Sequence, residues 1–99
     1  GQINWSEAAE SIIGKINGLY PSPGAFFIYN GERYKILKAC LSLGSGEAGE
    51  VLDNYLEISC GNKKSIKVLE IQRQGKRTQN VGEFMLGSQI KKGSNLNNV

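Results

Sequence analysis

The sequence contains no histidine and only two cysteines, Cys40 and Cys60. Without an imidazole, neither a Ser-His-Asp nor a Cys-His nucleophilic system can be assembled from this chain. Two thiols with no C-x-x-C spacing leave a zinc site dependent on carboxylates from scattered positions, so no metal site is expected. With no secretory leader beside them, they suggest no disulfide framework and are expected as buried free thiols. Proline is equally scarce: its two residues both fall in Tyr20-Pro21-Ser22-Pro23-Gly24. No run approaches the ~20 apolar residues of a membrane helix, and no basic segment leads into an apolar one at the start. The expectation is a cytoplasmic, monomeric protein with no membrane partner. The start at Gly1 instead of Met is the pattern of a piece of a longer protein. Acidic residues run out along the chain: residues 61–99 hold two, Glu70 and Glu83, against eight Lys or Arg, whereas residues 1–60 hold seven against four. A net charge of −3 thus gives way to +6, which marks either a face for an anionic partner or a block that folds onto several sides.

What is abundant is glycine, 13 residues in 99, with four Tyr, three Phe and one Trp. Such a chain makes one domain (residues 1–99) with a small core, burying about 60 to 65% of its unfolded surface, and is rich in turns and short elements. Trp5, Ala8 or Ala9, Ile12, Ile16 and Leu19 recur at helical spacing and predict a helix from about Trp5 to Asn17, with Asn4 as cap, Glu7 three residues later and Gly18 at the exit. The two prolines forbid its continuation. Ala25–Tyr29 and Arg33–Leu41 flank Asn30-Gly31, the strongest short hairpin signal, with Arg33 and Lys35 on one face and Tyr34 and Ile36 on the other. After a loop over residues 42–49 and a possible strand start at 50–52, Tyr55–Cys60 alternates strictly, with Leu56, Ile58 and Cys60 inward. Gly61-Asn62-Lys63-Lys64 makes a turn. In Ser65–Gln72 the apolar phase changes between Ile66/Val68 and Leu69/Ile71, as at a bulge or where both faces are partly covered. Asn80-Val81-Gly82-Glu83 repeats the cap pattern before the short helix Phe84-Met85-Leu86, which Gly87 closes and which is placed to plug a barrel end. Residues 89–93 are expected as an edge segment and 95–99 as a frayed end. The sum is a mostly β domain, a small closed or partly open antiparallel barrel with an N-terminal helix and a short late helix.

Little here suggests catalysis. Glu7 and Glu10 sit where they would stabilise a helix start, and the stretch G-S-G-E-A-G at 44–49 lacks the Lys-Ser/Thr and helix of a phosphate loop. The notable set is basic: Lys63, Lys64 and Lys67 around one turn, Arg73, Lys76 and Arg77 around the next, and Arg33 and Lys35 on another strand. These either converge on a groove that tracks phosphates or are ordinary solvated strand ends. Phe26, Phe27, Tyr29, Tyr34 and Tyr55 could stack on bases, although at strand spacing most should serve the core.

The motifs I-N-W-x-x-x-A (3–9), P-S-P-G-A (21–25), N-G-x-R-Y-K-I-L (30–37), G-E-V-L (49–52), L-E-I-x-C-G (56–61), I-Q-R-Q-G-K-R (71–77) and E-F-M-L-G, in this order, together resemble the C-terminal domain of methionyl-tRNA formyltransferases and their relatives. The resemblance implies an OB-like open barrel that follows a catalytic formyltransferase domain absent from this chain. That domain would carry the catalytic residues and use 10-formyltetrahydrofolate as cosubstrate; no cofactor is expected in the barrel. It also implies initiator methionyl-tRNA as partner, with Arg33, Lys35, Lys76 and Arg77 at the matching basic positions. Glu32 stands where a basic residue is expected and Asn17 where Arg is common, which weakens a polyanion surface. In relatives acting on amino sugars or folate the same module is chiefly structural or frames the substrate opening.

Overall fold

The structure, a computed structural model, describes residues 1–97. Its elements are α1 (Ala9–Leu19), β1 (Ala25–Tyr29), β2 (Glu32–Ser42), β3 (Glu57–Ser59), β4 (Ser65–Arg73), β5 (Thr78–Asn80) and α2 (Val81–Gly87). All strands belong to one antiparallel sheet in the order β1-β2-β4-β3, with β5 also on β4. The result is mostly β, an open, curled, OB-like half-barrel with a helix at the start and a short one late in the chain.

The hairpin forms as its turn demands. Asn30 and Gly31 both take positive φ (50° and 77°), which sets the register Tyr29↔Glu32, Ile28↔Arg33 and Phe26↔Lys35. Alternation then sends Ala25, Phe27, Tyr34 and Ile36 into the core and turns Arg33 outward. Pairing of β2 with β4 slips twice, between Ile36 and Lys38 and between Lys38 and Ala39, leaving Leu37 on one strand and Leu69 on the other without a partner. This bulge resolves the change of phase in the sequence: Ile66, Val68 and Ile71 all face the core while Leu69 is exposed.

The helix is shorter at its start than the spacing predicts. Trp5 is buried, but it lies in a turn in which Asn4 Oδ1 accepts from the Ser6 amide, and α1 begins only at Ala9 and runs through Gly18 to Leu19. Ala8 offers no capping side chain. The cap comes instead from the β3–β4 turn: Asn62 Oδ1 accepts from the Ala9 amide at 3.0 Å, Asn62 Nδ2 donates to Glu10 at 2.8 Å, and the Gly61 amide donates to the Glu7 carbonyl at 2.8 Å. Lys64 closes the clamp on Glu10 at 2.7 Å. Through this docking, Ile12 and Ile16 reach the core beside Trp5, which meets Phe27 edge-on at 6.1 Å. Trp5 Nε1 is the one buried side-chain polar atom among the described residues with no hydrogen-bond partner.

Other expectations need correction. The strand expected over 55–60 keeps regular pairing only at 57–59, because Leu56 takes a φ of 64°. Cys60 is buried as expected, and burial pushes its thiol up to about 11, but Cys40 is an exposed free thiol on the convex side opposite Lys67. Residues 89–93 form no strand. The supposedly frayed end is anchored: Asn95 bridges Glu50, and the Leu96 amide donates to the Gly49 carbonyl, burying Leu96. Positions 98 and 99 of that expected end lie outside the described residues.

A Cβ on Gly61 would lie 1.8 Å from the Ser6 carbonyl oxygen, which is backbone and cannot swing away. Gly61→Ala should therefore cost about 2–3 kcal/mol in urea unfolding, as overpacking does. Hydrogen bonding from Lys64, a backbone amide and Asn62 holds the Glu10 carboxyl down to about 2 from an ordinary 4.5. A carboxylate depressed in the folded state contributes stability that is complete above its unfolded pKa and is lost as pH falls through the folded one. Urea midpoints of the wild type should therefore drop more steeply between pH ~4.5 and ~2 than those of Glu10→Gln.

Candidate nucleic-acid interface

β4 continues past its pairing with β2 into a tight turn. The Lys76 amide donates to the Arg73 carbonyl at 2.9 Å with Gly75 at a φ of 78°, and β5 returns along β4. The Gln74 amide also donates to the Arg33 carbonyl at 2.9 Å, so the tips of the β1–β2 and β4–β5 hairpins are fastened side by side. Five of the eight basic residues singled out from the sequence, Arg33, Lys35, Arg73, Lys76 and Arg77, gather there. The other three do not. Lys63 and Lys64 flank the far turn of β4, roughly 26 Å away at ~3.3 Å per residue along the strand, where Lys64 is held by Glu10. Lys67 sits on the convex side opposite Glu57. Burial alone would raise the Glu57 carboxyl, but hydrogen bonds from Ser65, Ser42 and the Gly44 amide, with the charge of Lys67, hold it below its ordinary value.

The fastened hairpins carry a concavity on each side. On the core side lies a groove of about 840 Å³ lined by Tyr29, Glu32, Tyr34, Arg73, Lys76, Arg77, Glu83 and Phe84. Its floor is aromatic. Tyr34 stacks on Phe27 at 5.3 Å and receives Phe84 of α2 edge-on at 5.8 Å. The groove's cations are largely answered: Arg73 pairs with Glu32, and Arg77 donates to Glu83 at 2.5 Å. The Arg73 hydrogen bond draws the Glu32 carboxyl below its ordinary value, and Glu32 in turn raises the Arg73 guanidinium. Burial raises the Tyr34 phenol above its ordinary value. Lys76 makes no ion pair among the described residues.

On the other side is a notch of about 260 Å³ lined by Phe26, Arg33, Lys35, Gln72, Gln74 and Gly75 among others. It contains no carboxylate, and Arg33 lies 3.9 Å above the centre of the Phe26 ring. Of the aromatic residues considered for stacking, Phe27 and Tyr34 serve the core, Tyr29 lines the groove, and Phe26 supports Arg33. Tyr55 is exposed and lines neither concavity. Sequence reasoning missed Gln72, Gln74, Gln79 and Phe84 as wall residues. The Phe26–Arg33 contact is a diagonal one that the two-residue Asn-Gly turn makes legible, since it sets Arg33 opposite Ile28 and Phe26 opposite Lys35 on one face.

Fold and rim together define a small OB-like domain with a cationic hairpin edge. The sequence model of the family described as formyl transferase, C-terminal domain, matches residues 1–89. The chain is 72% identical over 99 residues to a methionyl-tRNA formyltransferase of Pelagibacter ubique (strain HTCC1062), covering 100% of this chain and 32% of that protein. It is 40% identical over 96 residues to the methionyl-tRNA formyltransferase of Paramagnetospirillum magneticum (strain ATCC 700264 / AMB-1), covering 97% and 31% respectively. It is 42% identical over 94 residues to that of Rickettsia prowazekii (strain Madrid E), covering 93% and 31%. The chain belongs to the formyl transferase C-terminal domain family. It spans about a third of the length of the curated relatives it matches.

The groove's far wall depends on α2, whose cap is Asn80: its Oδ1 accepts from the Glu83 amide at 2.8 Å. Asn80→Ala should cost about 1 kcal/mol in urea unfolding. In NMR spectra its largest shifts should fall on residues 81–87 and Tyr34.

Proposed function

We propose that this chain is the tRNA-binding and positioning domain of a methionyl-tRNA formyltransferase, one unit spanning residues 1–99, with no catalysis of its own. In the whole protein a separate catalytic domain joins it, and the two together hold initiator methionyl-tRNA while a formyl group passes to the methionyl amine. The observation that carries this reading is the gathering of Arg33, Lys35, Arg73, Lys76 and Arg77 around two fastened hairpin tips, in a chain whose relatives are named for a tRNA substrate. Phosphate contacts from such a rim fix the register and orientation of an RNA without reading its sequence. That is what a positioning domain requires. Lys63, Lys64 and Lys67, on the distant turn and the convex side, belong to this surface only if the RNA runs the length of β4.

The cosubstrate 10-formyltetrahydrofolate belongs on this reading to the catalytic domain. The groove and the notch at the hairpin edge do not fit it. The groove's arginines already face Glu32 and Glu83, which would oppose an anionic folate tail, and the notch is smaller than the ~300 Å³ at which pockets begin to hold drug-sized ligands. Among the described residues no helix is long and apolar enough to cross a membrane. Cytoplasmic residence and a monomeric state accompany the proposal. The alternative, a structural or substrate-framing domain of an amino-sugar or folate-linked relative, is favoured by one observation: the two ion pairs that neutralise part of the rim.

Replacing both Lys76 and Arg77 by Ala separates the two. If both contact phosphates, affinity for acceptor-stem RNA should fall about equally for different stem sequences. The slope of log affinity against log salt should shrink by about 0.9 per lost contact. Unchanged affinity and slope, read by fluorescence anisotropy at several salt concentrations, would remove these two residues from the interface.

A further inference from the structure

The notch on the outer side of the hairpins differs from the groove in the one property that matters to an anion. In the groove, two of three cations are answered by carboxylates of the same chain; in the notch, Arg33 and Lys35 are answered by none among the described residues. Both are also held in place. The Arg33 guanidinium carbon lies 3.9 Å over the centre of the Phe26 ring, a cation–π contact that restrains the group at the wall of the notch. The Lys35 stem lies against Gly24, where a Cβ would come within 2.5 Å of Lys35 Cδ. That packing needs a residue with no side chain at a φ of 85°. Opposite them stand the amides of Gln72 and Gln74, and Gln72 is itself anchored by donating to the Lys76 carbonyl at 2.9 Å. A pre-oriented fork, a point charge and neutral hydrogen-bonding walls form a receptor for one tetrahedral oxyanion. The volume of about 260 Å³ suits a phosphate with part of its sugar and not a stacked run of bases.

We propose that this notch seats a single phosphate of the RNA backbone and is the point where the domain grips it, with Arg33 as the fork, Phe26 as its shelf and Lys35 as the second charge. The inference rests on the RNA-positioning reading and sharpens it. The anchoring contact is the outward side of the β1–β2 hairpin, and the partly neutralised groove contributes less.

The test is anisotropy of a labelled acceptor-stem RNA hairpin with the 99-residue chain at ~50 and ~200 mM KCl. Arg33→Gln should bind about tenfold more weakly at the lower salt, as loss of a charged hydrogen bond implies. Having one phosphate contact fewer, it should also lose about 3.5-fold less affinity than the wild type over that fourfold rise in salt. Arg33→Lys and Phe26→Leu keep the number of charges and lose the fork or its shelf, so both should bind more weakly with the slope unchanged. Circular dichroism of each variant excludes unfolding as the cause, and Arg33→Lys stands as the test if Phe26→Leu does not fold. Wild-type binding with unaltered affinity and slope in Arg33→Gln overturns the notch and leaves the RNA reading intact. No RNA binding by the wild type at the lower salt overturns both.

Discussion

A β-strand has two hydrogen-bonding edges, and β4 has three partners. β2 runs along the whole of one edge, from Ser42↔Ser65 to Tyr34↔Arg73, so β3 and β5 must share the other in tandem, β3 on residues 65–67 and β5 on 70–72. The rest of the molecule is arranged by that constraint. The turn entering β4 is pressed against the start of α1, where Asn62 and Gly61 supply the partners that Ala8 cannot. The turn leaving β4 is carried to the tip of the β1–β2 hairpin and fastened there through the Arg33 carbonyl. The double slip at Leu37 and Leu69 lets one long strand keep Ile66, Val68 and Ile71 on a single buried face while the sheet curls. An unbroken period of two would have put Ile71 on the solvent side.

The same alternation divides the charge. Residues 32, 34 and 73 project to the core side of the hairpin edge, and residues 33, 35 and 72 to the other. Glu32 and Arg73 thereby meet beside the Tyr34 hydroxyl, which donates to Glu32 at 3.4 Å, and Arg33, one position along, is separated from both by the sheet. Two adjacent residues of opposite charge thus serve different surfaces without cancelling. The departure at Glu32, read from sequence as a weakening of a basic surface, weakens only one of two. It pairs with Arg73 and leaves Arg33 and Lys35 on the outer side without a carboxylate partner among the described residues.

Much of this is legible in the sequence wherever a local rule governs. The Asn30-Gly31 turn, the cap at Asn80 with Glu83, the inward set Leu56, Ile58 and Cys60, and the interruption of phase in β4 all depend on residues within a few positions of one another. Reading failed where partners come from afar. Asn4 and Glu7 form a local cap pattern that places the helix start at Trp5, yet Asn62, more than fifty positions on, provides the cap used. The docked end at Asn95 and Leu96 looks frayed in sequence because nothing nearby announces its pairing with Gly49 and Glu50. The usual behaviour of free thiols puts Cys40 in the interior; the slip between β2 and β4 turns it outward.

The sequence by itself determined the kinds of element, the hairpin and its register, the absence of imidazole chemistry, and membership of a family through motifs kept in order. These follow from short-range sterics, periodicity and composition, which are properties of the chain before it folds. Only the tertiary structure decided which charges meet. Eight basic residues looked like one set, and the fold parted them into a distant turn, a convex side, a compensated groove and an open notch. Sheet pairing brings together residues forty positions apart, and a single step along a strand exchanges one face for the other. Which cation finds a carboxylate and which stays without one among the described residues is therefore fixed by strand order and the slip between β2 and β4, and not by proximity along the chain.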